Sequence, residues 1–256
     1  MSKLVLAVCF LILGLGGLAW SQPKFEKDVF PTEVSRPVTR GGPQIVDLEI
    51  TFLGHGSLLM TYGGKTIYVD PYGEVADYSS LPQADLVLVT HDHFDHLDPK
   101  ALKAIVKPGT AVVASKSCAG KLSGAIILAN GESRTVLGLP IEAVAAYNIV
   151  HKRPDGNPFH PKGAGNGYVI TFANKRVYIA GDTEETPEMK ALKHIDIAFL
   201  PMNLPYTMSV EEVAQAAKDL RPKVLYPYHT GDTPTAKIVA LLKGEKDIEV
   251  RIRKMS

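Results

Sequence analysis

Apolar side chains fall along this chain in short blocks separated by polar, glycine and proline clusters. Blocks of strand length lie at residues 47–53, 58–62, 67–70, 85–90, 110–114, 125–129, 141–147, 168–172, 176–180, 196–200, 223–227 and 248–252. Helical spacing fits residues 99–106, 116–122, 187–192, 210–220 and 235–242. Pro99 and Pro187 suit a first helical turn, where the missing N–H costs nothing. Ser209, with Glu212 three residues on, has the form of a capping box.

The blocks repeat. Residues 57–69, with Gly63-Gly64 at a turn, resemble residues 168–179, with Ala173-Asn174 at a turn. Each hairpin is followed by a second matching strand, at 84–90 and at 195–201. Two β-rich halves of this kind predict an α/β fold in which two sheets pack face to face with helices outside. The loops after the matching strands are expected to open on one shared cleft. The first loop carries a histidine cluster, and the second carries Met202-Asn203-Leu204-Pro205-Tyr206.

The ends of the chain read differently. Lys3, an apolar run over residues 4–18 and the small residues Ala19 and Ser21 have the form of a secretory leader, residues 1–21, cleaved after Ser21. The run is shorter than the roughly 20 residues a spanning helix needs. The expected protein is therefore periplasmic or secreted and has no stable transmembrane domain after cleavage. An uncleaved leader would leave it membrane-anchored. Residues 22–45, rich in proline and glycine, read as an extended lead-in, and residues 46–256 as one domain.

Composition narrows the function. The net charge is +1 and no basic stripe is present, which argues against nucleic acid as a partner. Of the two cysteines, Cys9 lies in the leader and Cys118 stands alone, so no internal disulfide is expected in the mature chain.

The chemistry is concentrated in His91-Asp92-His93-Phe94-Asp95-His96, directly after a strongly apolar strand. Imidazole nitrogens and carboxylate oxygens are the donors that zinc-type ions take. A loop can turn several of them inward, whereas a strand would alternate them to opposite faces. A metal needs deprotonated imidazoles and carboxylates, and its binding offsets the cost of crowding them. Asp182, after a strand in Gly181-Asp182-Thr183, and His229, at a strand end, are the distant partners. Each could instead be structural, Asp182 as a turn residue and His229 as a satisfied histidine.

His91-x-His93-x-Asp95-His96, then Gly181-Asp182, then His229, resembles the metallo-β-lactamase fold superfamily over about residues 46–253. Thr90 to Asp98, Gly54-His55-Gly56-Ser57 and Val69-Asp70-Pro71 are most similar to the ascorbate-6-phosphate lactonase-like and N-acyl-phosphatidylethanolamine phospholipase D-like hydrolases. The resemblance implies a four-layer αββα sandwich and two divalent metal ions, zinc first, with manganese or iron as alternatives. It implies His91 and His93 at site one, Asp95, His96 and His229 at site two, and Asp182 as a bridge. The third histidine of site one stays open between His160, in a Phe159-His160-Pro161-Lys162-Gly163 run that the subgroup shares, and His151, only three residues past a strand end. The cysteine ligand of some β-lactamases is absent, with Asp95 in its place, so antibiotic hydrolysis is not expected.

The implied reaction is hydrolysis of an ester, lactone or phosphodiester by a metal-bound hydroxide, with Asp95 or Asp182 orienting the attacking proton. A small-molecule or lipid-like substrate is the expected partner. His55, Asn203, Tyr206 and Tyr228 are candidates to support the ligands or line the substrate pocket. Two other classes remain at this point. One is an iron-dependent oxidoreductase on the same ligand set. The other is a non-catalytic binding protein that kept the fold.

Overall fold

The computed structural model describes residues 25–34 and 44–255. The expected leader, its expected cleavage after Ser21 and much of the lead-in lie outside the described residues. The described part of the lead-in forms an edge strand, β1 (Lys27–Val34), paired antiparallel with β2 (Gln44–Gly54).

Two seven-stranded sheets make the frame. The first runs in chain order: β1, β2, β3 (Ser57–Tyr62), β4 (Lys65–Val69), β5 (Leu86–Val89), β6 (Ala111–Ser115) and β7 (Ile126–Leu128). The second is also sequential: β8 (Ser133–Val136), β9 (Leu139–Ala146), β10 (Gly165–Phe172), β11 (Lys175–Ile179), β12 (Ile197–Pro201), β13 (Val224–Tyr228) and β14 (Glu249–Val250). In each sheet three antiparallel pairings are followed by three parallel ones. The repeat visible in the sequence thus extends over every strand of both halves.

Alternation along the strands builds the layers. Leu86 and Leu88 of β5 point into the core between the sheets, together with Ile170, Phe199 and Tyr226 of the second sheet. Val87 and Val89 point the other way, onto Ala101 and Ile105 of α1 (Pro99–Ile105). Tyr178, Ala198 and Leu225 likewise face Val213 and Ala217 of α3 (Val210–Leu220), with α2 (Pro187–Ala191) and α4 (Ala236–Leu241) in the same outer layer. Parallel strands covered on both faces read as unbroken apolar runs, and these do. The architecture is the four-layer αββα sandwich.

Local signals behave as their chemistry dictates. Ser209 and Glu212 form the reciprocal capping box of α3, and Asp98 caps α1 by accepting from the Lys100 and Ala101 amides. The helix expected at 116–122 is corrected: only a single 3-10 turn, Lys116–Cys118, forms there. Gly120 falls in the middle of that run, where glycine disfavours a helix.

Candidate metal centre

Five loops at one end of the sandwich converge. The loop after β5 turns sharply, because the His96 and Leu97 amides both donate to the His93 carbonyl, and so gathers four side chains of the 91–96 run. Asp182 follows β11, His229 follows β13, His55 sits in the β2–β3 turn, and His160 ends the long β9–β10 connection. Six of the eight histidines and two aspartates meet there. Candidate ligand atoms of His55, Asp95, His96 and His229 lie within 4.8 Å of one another, as do those of His91, His93 and His160, and those of His91, His96 and Asp182.

Asp182 is the centre of this arrangement. Its Oδ1 is 3.5 Å from His96 Nε2, and its Oδ2 is 3.3 Å from His160 Nε2, 3.4 Å from His229 Nε2 and 3.9 Å from His91 Nε2. Asp95 Oδ2 lies 3.0 Å from His55 Nε2, 3.7 Å from His229 Nε2 and 3.9 Å from His96 Nε2. Glycine makes two of these approaches possible. Gly181 has φ +67°, and a Cβ there would sit 2.8 Å from the Asn166 carbonyl oxygen; a Cβ on Gly56 would sit 3.0 Å from the His96 ring. Three non-glycine residues of the site, His55, Asp70 and His229, are also left-handed, at φ 52°, 43° and 49°. Such strain costs on the order of 1–3 kcal/mol per residue and persists where the surroundings over-determine it. Here the His229 amide donates to the His55 carbonyl and the Asp70 amide to the Leu88 carbonyl, both at 3.0 Å.

The backs of the rings are held, and this fixes which nitrogen faces inward. Asp70 is fully buried and its carboxylate accepts from the Thr90 amide at 2.8 Å, the Thr90 hydroxyl at 2.6 Å and His96 Nδ1 at 2.8 Å. The Thr90 hydroxyl, its proton given to Asp70, accepts from His91 Nδ1 at 3.0 Å. His160 Nδ1 donates to Asn148 Oδ1 at 2.9 Å. Each of these three rings therefore turns its Nε2 toward the cluster.

Those inward atoms have nothing to bond. His91 Nε2, His96 Nε2, Asp182 Oδ1 and both ring nitrogens of His229 are buried with no hydrogen-bond partner among the described residues. An unsatisfied buried polar atom costs roughly 1–3 kcal/mol. Charge is compensated within the cluster instead. Burial opposes protonation of His96, but the Asp182 and Asp70 carboxylates outweigh it and hold the ring well above its ordinary pKa. Burial keeps His91 well below its ordinary value. Burial would raise Asp182 and Asp95, yet the neighbouring histidines hold both carboxyls far below the usual range. Nitrogen and oxygen donors aimed at one another with nothing between them fit divalent cations, which would take over the compensation that a proton on His96 gives.

A family model, the beta-lactamase superfamily domain, matches residues 49–229. The chain belongs to the metallo-β-lactamase superfamily. Within it, a solved structure described as a metal-dependent hydrolase, from Parabacteroides distasonis, is 47% identical, with a TM-score of 0.83 over 91% of this chain and 100% of that one. UPF0173 metal-dependent hydrolases from Thermus thermophilus and Aeropyrum pernix are 32% and 31% identical, over 73% and 72% of this chain and 85% and 83% of their own lengths.

One expectation needs correction. His151, one of the two histidines left open for site one, does not reach the cluster: its Nε2 lies 3.0 Å from the Glu212 carboxylate, and His160 is the one brought in. Of the two roles open to Tyr228, it takes the support of a ligand and not the lining of the pocket. It is fully buried in the inter-sheet core, and its hydroxyl accepts from the Gly181 amide at 2.8 Å, bracing the Asp182 turn from behind. Asn203 and Tyr206 do border the open cavity of about 590 Å³ above the cluster, together with His55, His93, Phe94 and Asp95.

Asn148 and Glu184 escaped the sequence reading. The buried Glu184 carboxylate accepts from the Ile149, Val150 and His151 amides and from the Asn148 side chain. Asn148 in turn receives both the backbone and the ring of His160. The available signal was a polar residue, Asn148, just past the end of an apolar strand.

Proposed function

We propose that this chain hydrolyses an ester, lactone or phosphodiester bond at a pair of divalent ions, zinc being the first choice. Metal-dependent hydrolysis is the activity for which its relatives are named, and the chain is a metal-dependent hydrolase of the superfamily. One observation carries the finer reading: buried, partnerless donor atoms from two groups of side chains, with Asp182 within 4 Å of histidines in both.

His91, His93 and His160 would hold one ion; Asp95, His96 and His229 the other; Asp182 would serve both. When bound, such a pair lowers the pKa of water toward neutrality and polarises the bond under attack. The protein's own groups do the rest. Asp70, Thr90 and Asn148 keep three Nε2 atoms facing inward, where their lone pairs are free for a metal once His96 gives up its proton. Asp95, held as an anion, can orient an attacking water by accepting its hydrogen bond at Oδ2, where His55 Nε2 already lies at 3.0 Å. Asn203 and Tyr206, on the cavity wall, are positioned to bond the substrate.

The test is activity of metal-loaded protein on bis(p-nitrophenyl) phosphate, p-nitrophenyl acetate and a simple lactone, beside Asp182→Asn. Turnover is expected with at least one of them, together with loss of both turnover and metal in the variant. Full metal and full turnover in Asp182→Asn would refute the bridging role.

A further inference from the structure

We propose that Arg153 is the anchor for an oxyanion, a phosphate or carboxylate group, carried by the substrate beside the bond that is cut. This deepens the hydrolase reading and rests on it for the word substrate, but the anion site has its own geometry.

Charge in the cavity singles out this residue. Asp92, Asp95 and Asp182 line the cavity, and Arg153 is the one lysine or arginine among the described residues that does. The acids are already engaged. Asp92 is 2.6 Å from Lys121 Nζ, Asp95 is 3.0 Å from His55, and Asp182 is surrounded by the histidines. Arg153 is not. Its guanidinium lies over the Phe159 ring, 4.8 Å from the centroid, and among the described residues it makes no hydrogen bond or ion pair. Asp155, two residues on, feels its charge but directs its oxygens to the Asn157 amide and side chain. Lys162 provides the contrast: it too lies over an aromatic ring, that of Tyr147, but it is paired with Glu188 at 3.0 Å.

The guanidinium is also placed rather than left to wander. The Arg153 amide donates to the Asn157 carbonyl and the Gly156 amide to the Arg153 carbonyl, and Lys152 bridges Pro158, so the loop is a small closed hairpin. Phe159 is buried, packs edge-on against Tyr206 at 5.1 Å and precedes His160. The platform under Arg153 is thus continuous in the chain with a candidate metal ligand, which sets the anion site in register with the centre. A guanidinium held by its face keeps its edge N–H groups free for the two oxygens of a phosphate or carboxylate. Arg153 is exposed to solvent, as an anchor at a cavity mouth must be, and the ring beneath it and the cavity in front of it give it a direction.

The test uses the metal-loaded full chain, Arg153→Met and Arg153→Lys. The substrates are neutral p-nitrophenyl acetate and two p-nitrophenyl esters with an anion beyond the ester, the monoester of glutaric acid, which carries a free carboxylate, and the ester of 3-phosphonopropionic acid, which carries a phosphonate. Calorimetric binding of inorganic phosphate and of glutarate is measured in parallel. Arg153→Met should raise KM for an anionic probe about ten-fold and weaken oxyanion binding by a similar factor, with kcat, metal content and the acetate reaction unchanged. Arg153→Lys should recover part of the loss. The probe with the larger loss assigns the class, phosphate or carboxylate. Turnover with the same KM for every anionic probe in wild type and variant, or oxyanion binding that ignores Arg153→Met, overturns the anion site and leaves the hydrolase reading standing. Absence of turnover in the wild type, with oxyanion binding still lost in the variant, overturns the hydrolase reading and leaves the anion site standing.

Discussion

Replacing Asp70 by Asn changes one atom in a residue that touches no proposed ion, so it isolates the support behind the centre. The Asp70 carboxylate accepts three buried hydrogen bonds, from the Thr90 amide, the Thr90 hydroxyl and His96 Nδ1. In the variant the side-chain oxygen must stay on the Thr90 amide, which can only donate. The new NH₂ group then faces Thr90 Oγ1, whose hydroxyl can turn to accept, and His96 Nδ1, where a donor meets a donor. His96 can resolve this by moving its proton to Nε2, and that proton then points into the cluster where a lone pair is needed. The charge-assisted bond forfeited is worth about 1.5–3 kcal/mol. Loss of such support typically lowers metal affinity by about 10–100-fold, or roughly 1.4–2.7 kcal/mol. The assay is competitive metal titration against a chromophoric chelator, with circular dichroism to check the fold. A folded Asp70→Asn protein that binds metal as tightly as wild type would refute the tautomer argument.

Three further outcomes follow from the same geometry. His151→Ala should leave metal content unchanged, whereas Asn148→Ala should weaken metal binding about ten-fold by freeing the back of His160, as read by elemental analysis after dialysis. Tyr228→Phe should cost about 1–3 kcal/mol in denaturant unfolding by stranding the Gly181 amide, with KM for any substrate unaltered. Stripping metal with a chelator should lower the thermal midpoint by about 10 °C, from about 4 kcal/mol of linkage at a thousand-fold excess over Kd and roughly 2–4 °C per kcal/mol for a domain of this size; calorimetric scans with and without chelator read this directly.

What the sequence disclosed was local or periodic. Strands β5 (Leu86–Val89) and β12 (Ile197–Pro201) carry no polar side chain because both of their faces are covered, and they read clearly. The capping box of α3 needs only Ser209 and Glu212, and it is present. The dense 91–96 run also gave away the centre of the site. Elements whose stability comes from partners far along the chain were harder to see. Strand β8, Ser133–Val136, exposes three of its four residues and exists because β9 pairs with it. Strand β1 carries Asp28 and Glu33 and is held by β2 and by Arg253 on Asp28, 225 residues away. Glu184 reads as one more acid near a helix start; only the folded loop shows three amides and Asn148 closing on it. The choice between His151 and His160 turned on the same contacts, since spacing alone favours the residue nearer the strand end.

The central claim is that side chains scattered from His91 to His229 grip two cations. Anomalous diffraction from crystals grown with zinc tests it most directly. Two peaks are expected, one at about 2.0–2.2 Å from ring nitrogens of His91, His93 and His160 and one at that distance from Asp95, His96 and His229, with Asp182 reaching both. A single peak, or peaks that leave Asp182 beyond coordinating distance, would contradict it.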